Sequence, residues 1–102
     1  CLDPAYIFSN SDRSLNDYIK ALGERIGYLH LYDVNAEGVH YTPGTGDVPE
    51  KEWGLLLRWM RDSEFQGPTV FEIRPPPKPE GQTPLDTVIE ARNYFETLVT
   101  EV

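Results

Sequence analysis

The chain has a single cysteine, no long apolar run and few basic side chains. One cysteine, Cys1, excludes an internal disulfide and fits a reducing compartment, so we expect a cytoplasmic protein. No apolar run reaches the roughly 18 to 20 residues that cross a bilayer, so no membrane partner is expected. Lys and Arg number 9 against 17 Asp and Glu, a net charge of −8, which argues against a nucleic-acid-binding surface.

The length and composition fit one small globular domain. Of the 102 residues, 39% are hydrophobic and 25% are charged. The chain begins on Cys1-Leu2-Asp3, which has the alternation of a strand end. We therefore expect residues 1–102 to be a single partial domain of a longer protein.

Strand and helix patterns alternate along the chain. Period-two alternation predicts strands over residues 1–3, 26–33 and 69–73. Between them, Ser14 is a suitable N-cap with Asp17 three residues later, and Gly23 is placed to end that helix. Pro49 predicts the first turn of a second helix. We expect loops over residues 4–13 and 34–48, because both carry turn-forming and polar residues.

The last helix is predicted from about Leu85 to the end of the chain. Its expected apolar face comprises Leu85, Val88, Ile89, Phe95, Leu98 and Val99. Strands joined by helical crossovers must be parallel, so the fold class is α/β. Three strands leave two open sheet edges, so we expect the N-terminal remainder of a larger sheet or a homo-oligomer partner to cover them.

Three chemistry-bearing residues lie at the carboxyl ends of the predicted strands, Asp3, His30 and Glu72. Alternation puts them on one face, and neighbouring strands lie about 4.8 Å apart, so they could converge on one divalent cation. Carboxylates and imidazole suit Zn²⁺ or Mn²⁺, and carboxylates with water suit Mg²⁺. A carboxylate beside such an ion could remove a proton next to a carbonyl. The alternative is a core histidine bonded to a carbonyl, among ordinary polar strand ends.

Two further polar residues are candidates for substrate binding. His40 lies in the long loop, where substrate contact and simple loop packing are equally open. Arg74 follows Glu72 by two residues and could bind an anionic substrate group or pair with a carboxylate. The Pro43–Gly46 turn lacks the lysine of a phosphate-binding loop, so we expect it to shape the rim of a pocket.

Several motifs follow one another along the chain: Cys1-Leu2-Asp3, His30-Leu31-Tyr32-Asp33, His40 with Gly44-Thr45-Gly46-Asp47, Gly67-Pro68 followed by Glu72, and Pro84-Leu85 with Ala91-Arg92 and Tyr94-Phe95. In this order they resemble the C-terminal part of the xylose isomerase-like TIM barrel superfamily. That group includes sugar and sugar-phosphate isomerases and epimerases, and the endonuclease IV type of AP endonuclease (family 2).

This resemblance implies the last three βα units of a (β/α)8 barrel, with parallel strands and crossover helices. It implies that Asp3, His30 and Glu72 bind a divalent metal (Mn, Mg, Zn or Co) and that Glu72 is also the catalytic acid/base. The fourth ligand, a Glu, would lie on an earlier strand outside this chain. The implied activity is isomerisation or epimerisation of a carbohydrate, as a sugar or sugar phosphate, by proton transfer next to a carbonyl. The isolated chain is expected to be inactive.

Two departures from the family pattern keep alternatives open. The family usually carries His three residues after the Asp, where this chain has Tyr6. We expect Tyr6 to occupy that substrate-binding position, but a phenol is not equivalent to a neutral imidazole as a hydrogen-bonding group or ligand. A non-catalytic barrel that binds a small molecule is therefore one alternative. An endonuclease IV-like phosphodiester hydrolase is the other. Gly38 and the acidic charge weigh against it, because that branch has Asp two residues before the second His.

Overall fold

The computed structural model of the chain describes residues 1–72 and 84–101. Its helices are Pro4–Asn10 (α1), Leu15–Leu22 (α2), Glu50–Asp62 (α3) and Pro84–Val99 (α4), and a 3₁₀ turn, Gly23–Arg25, follows α2. Its strands are Leu29–Leu31 (β1), Asp33–Val34 (β2), His40–Tyr41 (β3) and Thr69–Phe71 (β4). None of the helices within these ranges is long and apolar enough to cross a membrane.

Strand β1 lies in the middle of the parallel pairing. It pairs with β4 in a register that sets Leu29 opposite Thr69 and Leu31 opposite Phe71. On its other edge, Leu2 forms one parallel bridge to Leu29. This confirms an α/β arrangement with parallel strands. The first of the three predicted strands is represented by a single bridge, so three complete βα units are not formed by the described residues.

The hydrophobic core joins β1 to the helices on one side of the strands. Leu29, Trp53 and Leu56 are fully buried, and Trp53 packs edge to face on Phe95 of α4 with ring centroids 5.5 Å apart. Helix α3 begins at Glu50, immediately after Pro49, so the second helix starts where the sequence predicts. Burying side chains of this size contributes about 1.5 to 3 kcal/mol each, so α3 and α4 are held mainly by this cluster.

The prediction of a loop over residues 4–13 is wrong, because α1 occupies most of that segment. The Asp3 side chain accepts a hydrogen bond from the Tyr6 amide at 2.9 Å, and Pro4 stands at the first helical position. An Asp N-cap followed by proline is a strong helix start. Ala5 and Ile7 are buried, and their burial stabilises a helix that the following polar run would not sustain alone.

Helix α2 begins and ends where the sequence predicts. The Ser14 hydroxyl accepts from the Asp17 amide, and the Asp17 carboxylate accepts from the Ser14 amide, both at 3.1 Å. Gly23 ends the helix with φ 45°, and its amide donates to the Ile19 carbonyl. The reciprocal cap satisfies two backbone donors that would otherwise lack partners.

The predicted apolar face of α4 is partly wrong. Leu85, Val88, Ile89 and Val99 are exposed, whereas Phe95 and Leu98 are buried as expected. The buried stripe continues from Phe95 through Ala91 to Thr87. The helix is oriented by the contact of Phe95 with Trp53, and a step of four residues from Phe95 leads to Ala91 and Thr87 rather than to Val88 and Ile89.

The prediction that residues 34–48 lack regular structure is also wrong. Strands β2 and β3 form a short antiparallel ladder, with Val34 opposite His40. The turn between them is closed by Asn35, whose side-chain oxygen accepts from the amides of Glu37 and Val39 at 3.0 and 2.9 Å. A side chain that caps its own turn in this way substitutes for backbone partners, so a glycine-containing segment still forms a hairpin.

The buried carboxylate of Asp33 ties this hairpin to the rest of the chain. It accepts hydrogen bonds from the amides of Val34, Gly44 and Val48, each at 2.9 Å. Asp33 has no exposed surface, so these donors replace the water that an ionised group would otherwise need. One side chain therefore fixes the start of β2, the Pro43–Gly46 turn and the approach to α3.

Two features of the structure require glycine at position 44. The φ angle of Gly44 is 91°, a backbone conformation that L side chains rarely adopt. A Cβ atom at this position would also lie 2.6 Å from the ring of Tyr94 on α4. The Pro43–Gly46 turn is therefore packed directly against α4.

We expect Asp33→Asn to destabilise the fold by about 2 kcal/mol or more. The new amide group would face the Gly44 N–H, which sets a donor against a donor. Urea unfolding measures the change, and Asp12→Asn, at an exposed position, should stay within about 0.5 kcal/mol of the wild type. Equal midpoints for the two variants would contradict this role of Asp33.

We expect Gly44→Ala to destabilise the chain more than Gly38→Ala does. Both glycines have positive φ, so both variants carry the strain of roughly 1 to 2 kcal/mol. A Cβ at Gly38 meets open space, so only Gly44→Ala adds the overlap with Tyr94, a further cost of about 1 to 3 kcal/mol. The urea midpoints of both variants are compared with that of the wild type. The shift in Gly38→Ala measures the backbone strain, and any larger shift in Gly44→Ala measures the steric overlap with Tyr94.

The α2 cap should make stability depend on pH. Hydrogen bonds from Ser14 lower the pKa of Asp17 below its ordinary value. A lowered pKa in the folded state stabilises the fold above the unfolded pKa of about 3.9, and this contribution is lost as the pH falls through the folded pKa. The unfolding free energies of the wild type and Asp17→Ala should therefore differ near neutral pH and converge in acid. A constant difference would exclude this linkage.

Candidate metal centre

Three side chains from distant parts of the chain converge at the carboxyl ends of the parallel strands. Asp3 follows the Leu2 bridge, His30 lies in β1 and Glu72 follows β4. Each offers a ligand atom, and these atoms all lie within 4.8 Å of one another. The parallel register produces the cluster, because it sets His30 beside Val70 and leaves Glu72 one step past the last pair.

His30 and Glu72 contact each other directly. The His30 Nδ1 lies 3.1 Å from a Glu72 carboxylate oxygen. The His30 side chain is 31% exposed and that of Glu72 38%, so both can be reached from solvent. The ring of Tyr28 lies edge-on to His30, with centroids 5.1 Å apart. The imidazole is thus held between an aromatic edge and a carboxylate, which fixes its orientation.

Asp3 is oriented by the backbone of α1 and by Tyr32. One carboxylate oxygen accepts the Tyr6 amide as the helix cap. Burial, together with hydrogen bonding to the Asp3 carboxylate, raises the pKa of Tyr32 well above its ordinary value. The phenol therefore remains protonated and can donate a hydrogen bond to Asp3. Such outer partners of a ligating carboxylate hold it in place and tune its affinity for an ion.

The geometry and chemistry of these residues fit a divalent cation. Ligand atoms about 2.1 Å from one ion lie at most about 4.2 Å apart, so a set within 4.8 Å needs a shift of less than an ångström. Two carboxylates and one imidazole are a donor set that Zn²⁺ and Mn²⁺ accept. Asp3, His30 and Glu72 would supply three ligands, which leaves room for further ligands on such an ion. Metal binding by them stays a prediction.

The predicted substrate-binding residues have different surroundings. His40 lies outside the three-residue cluster, and its Nδ1 is 2.9 Å from the main-chain carbonyl oxygen of Glu72. Tyr6 is 61% exposed in the first turn of α1, beside Asp3. Arg74 lies outside the described residues. The roles of all three in binding a substrate stay predictions.

Two residues near the cluster have roles that sequence reasoning missed. Tyr32 is buried and stacks on His40, with ring centroids 3.7 Å apart and planes 9° apart. Asp33 organises the loop that carries His40. For Tyr32, the sequence offers a usable signal, because alternation puts it on the same face as His30. The role of Asp33 depends on hydrogen bonds to amides 11 and 15 residues away, and no local sequence pattern indicates such bonds.

Comparison with known proteins gives one distant similarity. No protein-family model matches the chain, and no solved structure matches it. A stretch of 61 residues, 60% of the chain, is 33% identical to D-psicose 3-epimerase from Enterocloster bolteae. The chain spans 18% of the length of that protein. The similarity weakly supports the resemblance to the xylose isomerase-like superfamily and an epimerase-like enzyme.

Proposed function

We propose that this chain is the C-terminal part of a divalent-metal-dependent epimerase or isomerase that acts on a sugar or sugar phosphate. The observation that carries the proposal is the convergence of Asp3, His30 and Glu72, whose ligand atoms lie within 4.8 Å of one another. The similarity to D-psicose 3-epimerase supports the same class of reaction. The remaining strands of a barrel, or a second copy of the chain, would complete the open sheet and the ligand set.

Each residue of the cluster has a distinct task in this proposal. Asp3, His30 and Glu72 would hold the ion, which supplies stabilisation of the negative charge that develops on the substrate oxygens. The Glu72 carboxylate removes the proton from the carbon beside the carbonyl, and a Glu outside this chain works with it in the proton transfer. His30, at 3.1 Å, keeps the Glu72 carboxylate directed into the site.

The substrate would approach over the exposed side of the cluster. Tyr6, 61% exposed beside Asp3, offers a phenol that can donate to or accept from a sugar hydroxyl. Its neighbour Asp3 is anchored through the Tyr6 amide, so the phenol and the carboxylate are joined by one turn of helix. A carbohydrate is the partner that this polar, half-exposed surface suits.

The hydrolytic alternative has less support from the geometry. Phosphodiester cleavage by a multi-metal site would need ligands beyond the first cluster, and His40 is the remaining histidine of the chain. Its Nδ1 is bonded to the Glu72 carbonyl, and within residues 1–72 and 84–101 no second group of three ligand side chains comes together. The net charge of −8 also opposes the approach of a phosphate backbone.

We expect the full-length protein, purified without chelator, to hold about one divalent ion per site, and Glu72→Gln to lose it. The substitution keeps the size of the side chain and removes a negatively charged ligand oxygen. Elemental analysis with intact-mass measurement checks the ion. Exchange of substrate carbon-bound hydrogen with deuterated water, over a series of ketoses and their phosphates, should fall about 10²- to 10⁴-fold in the variant.

The matched control is Glu24→Gln, which makes the same charge change in the turn before β1, at the opposite end of the strand. It should retain both the ion and the exchange activity. Absence of a bound ion from the wild type, with the fold intact by circular dichroism, would contradict the enzyme proposal and favour the non-catalytic barrel.

A further inference from the structure

His40 lies between an aromatic ring and the backbone of the proposed catalytic residue. Its imidazole is stacked on Tyr32 with centroids 3.7 Å apart and planes 9° apart. Its Nδ1 lies 2.9 Å from the Glu72 carbonyl oxygen. Tyr32 is only 4% exposed, so the platform under the imidazole is itself fixed by burial.

The partner of the His40 Nδ1 determines where the imidazole carries its proton. A carbonyl oxygen can only accept, so Nδ1 must carry the hydrogen and donate it. This hydrogen bond restrains both the His40 imidazole and the Glu72 carbonyl. The Nδ1 atom of His40 is thus used within the protein.

His40 reaches Glu72 because the chain is tightly constrained on leaving β1. Residues 32–34 follow β1 directly, and Val34 pairs with His40 in the β2–β3 ladder. The Asp33 carboxylate fixes the base of this hairpin through the Val34 amide at 2.9 Å. The position of His40 is therefore determined by the hairpin that continues from β1. This hairpin brings the His40 side chain to the end of β4.

Both backbone groups of Glu72 are consequently held from the β1 side. Its amide donates to the Leu31 carbonyl at 3.0 Å, and its carbonyl accepts from His40. Because the N–H and C=O groups of Glu72 are both fixed, its Cα–Cβ bond has a defined direction. This direction allows the Glu72 carboxylate to contact His30 at 3.1 Å.

We propose that Tyr32 and His40 act together as positioning residues that fix the backbone of Glu72 and so aim its carboxylate at His30 and Asp3. The pair supports Glu72 without being a ligand or a proton carrier. Its consequence for metal binding rests on the proposed function, whereas its effect on the Glu72 backbone does not.

Hydrogen exchange in the metal-free full chain tests the positioning directly. Among the amide hydrogen bonds that connect β1 with the β4 segment, one runs from Leu29 to the Pro68 carbonyl and another from Glu72 to the Leu31 carbonyl, both at 3.0 Å. His40→Ala should speed exchange of the Glu72 amide roughly 2- to 12-fold relative to the Leu29 amide, the equivalent of one lost hydrogen bond. Equal acceleration of both amides would mean general destabilisation and would overturn the proposal.

Three further variants separate the ring from the donor. His40→Phe keeps an aromatic ring to stack on Tyr32 and loses the N–H, so it should match His40→Ala at the Glu72 amide. His40→Asn places an amide N–H near the Nδ1 position and should restore part of the protection. Val39→Ala, at the exposed neighbour on the same hairpin, is the control and should leave the ratio unchanged. A ratio in His40→Phe equal to that of the wild type would overturn the role of the hydrogen bond.

Calorimetric titration of the same variants with Zn²⁺ and Mn²⁺ measures the consequence for the ion. Affinity should fall about 10- to 100-fold in His40→Ala, as for other outer-shell partners of ligands, and remain unchanged in Val39→Ala. If the wild type binds neither ion, the proposed function fails while the exchange ratio still decides the positioning role. If the wild type binds and His40→Ala binds equally well, the effect of the pair on the site is overturned.

Discussion

The buried carboxylate of Asp33 is the interaction on which the arrangement around β1 depends. It has no exposed surface and accepts hydrogen bonds from main-chain N–H groups at three places along the chain. Charge-assisted bonds of this kind are stronger than neutral ones because the acceptor is ionised. The hairpin, the Pro43–Gly46 turn and the start of α3 are therefore not three separate loops but one structure assembled around a single side chain.

The structure around Asp33 is linked to the cluster of Asp3, His30 and Glu72 through neighbouring residues. Asp33 adjoins Tyr32, which contacts Asp3 and His40, and His40 in turn reaches Glu72. Two carboxylates placed this close repel each other, which is a cost to the folded state. This cost, together with the partial exposure of His30 and Glu72, supports the proposal that the three residues hold a cation.

The sequence predicts the parts of the structure that depend on local spacing. The alternation in 26–33 and 69–73 puts His30 and Glu72 on one face, and the Ser14 cap begins α2, as the structure shows. The errors lie where distant contacts decide. Phe95 packs on Trp53 and thereby selects the buried face of α4, and the β2–β3 hairpin needs donors and acceptors far along the chain. Helix α1 is predictable from the sequence, because an Asp cap followed by proline is a stronger helix signal than the polar run after it is a loop signal.

The side chain of Asp3 has two duties, and this affects how related sequences should be compared. One of its oxygens begins α1 by capping the Tyr6 amide, so selection for a folded protein retains Asp at this position with or without any chemistry. Within residues 1–72 and 84–101, His30 and Glu72 neither begin nor end a helix. Among relatives, an aspartate at the position of Asp3 is therefore a poor marker of an active enzyme, whereas joint retention of the histidine and the glutamate is informative about activity.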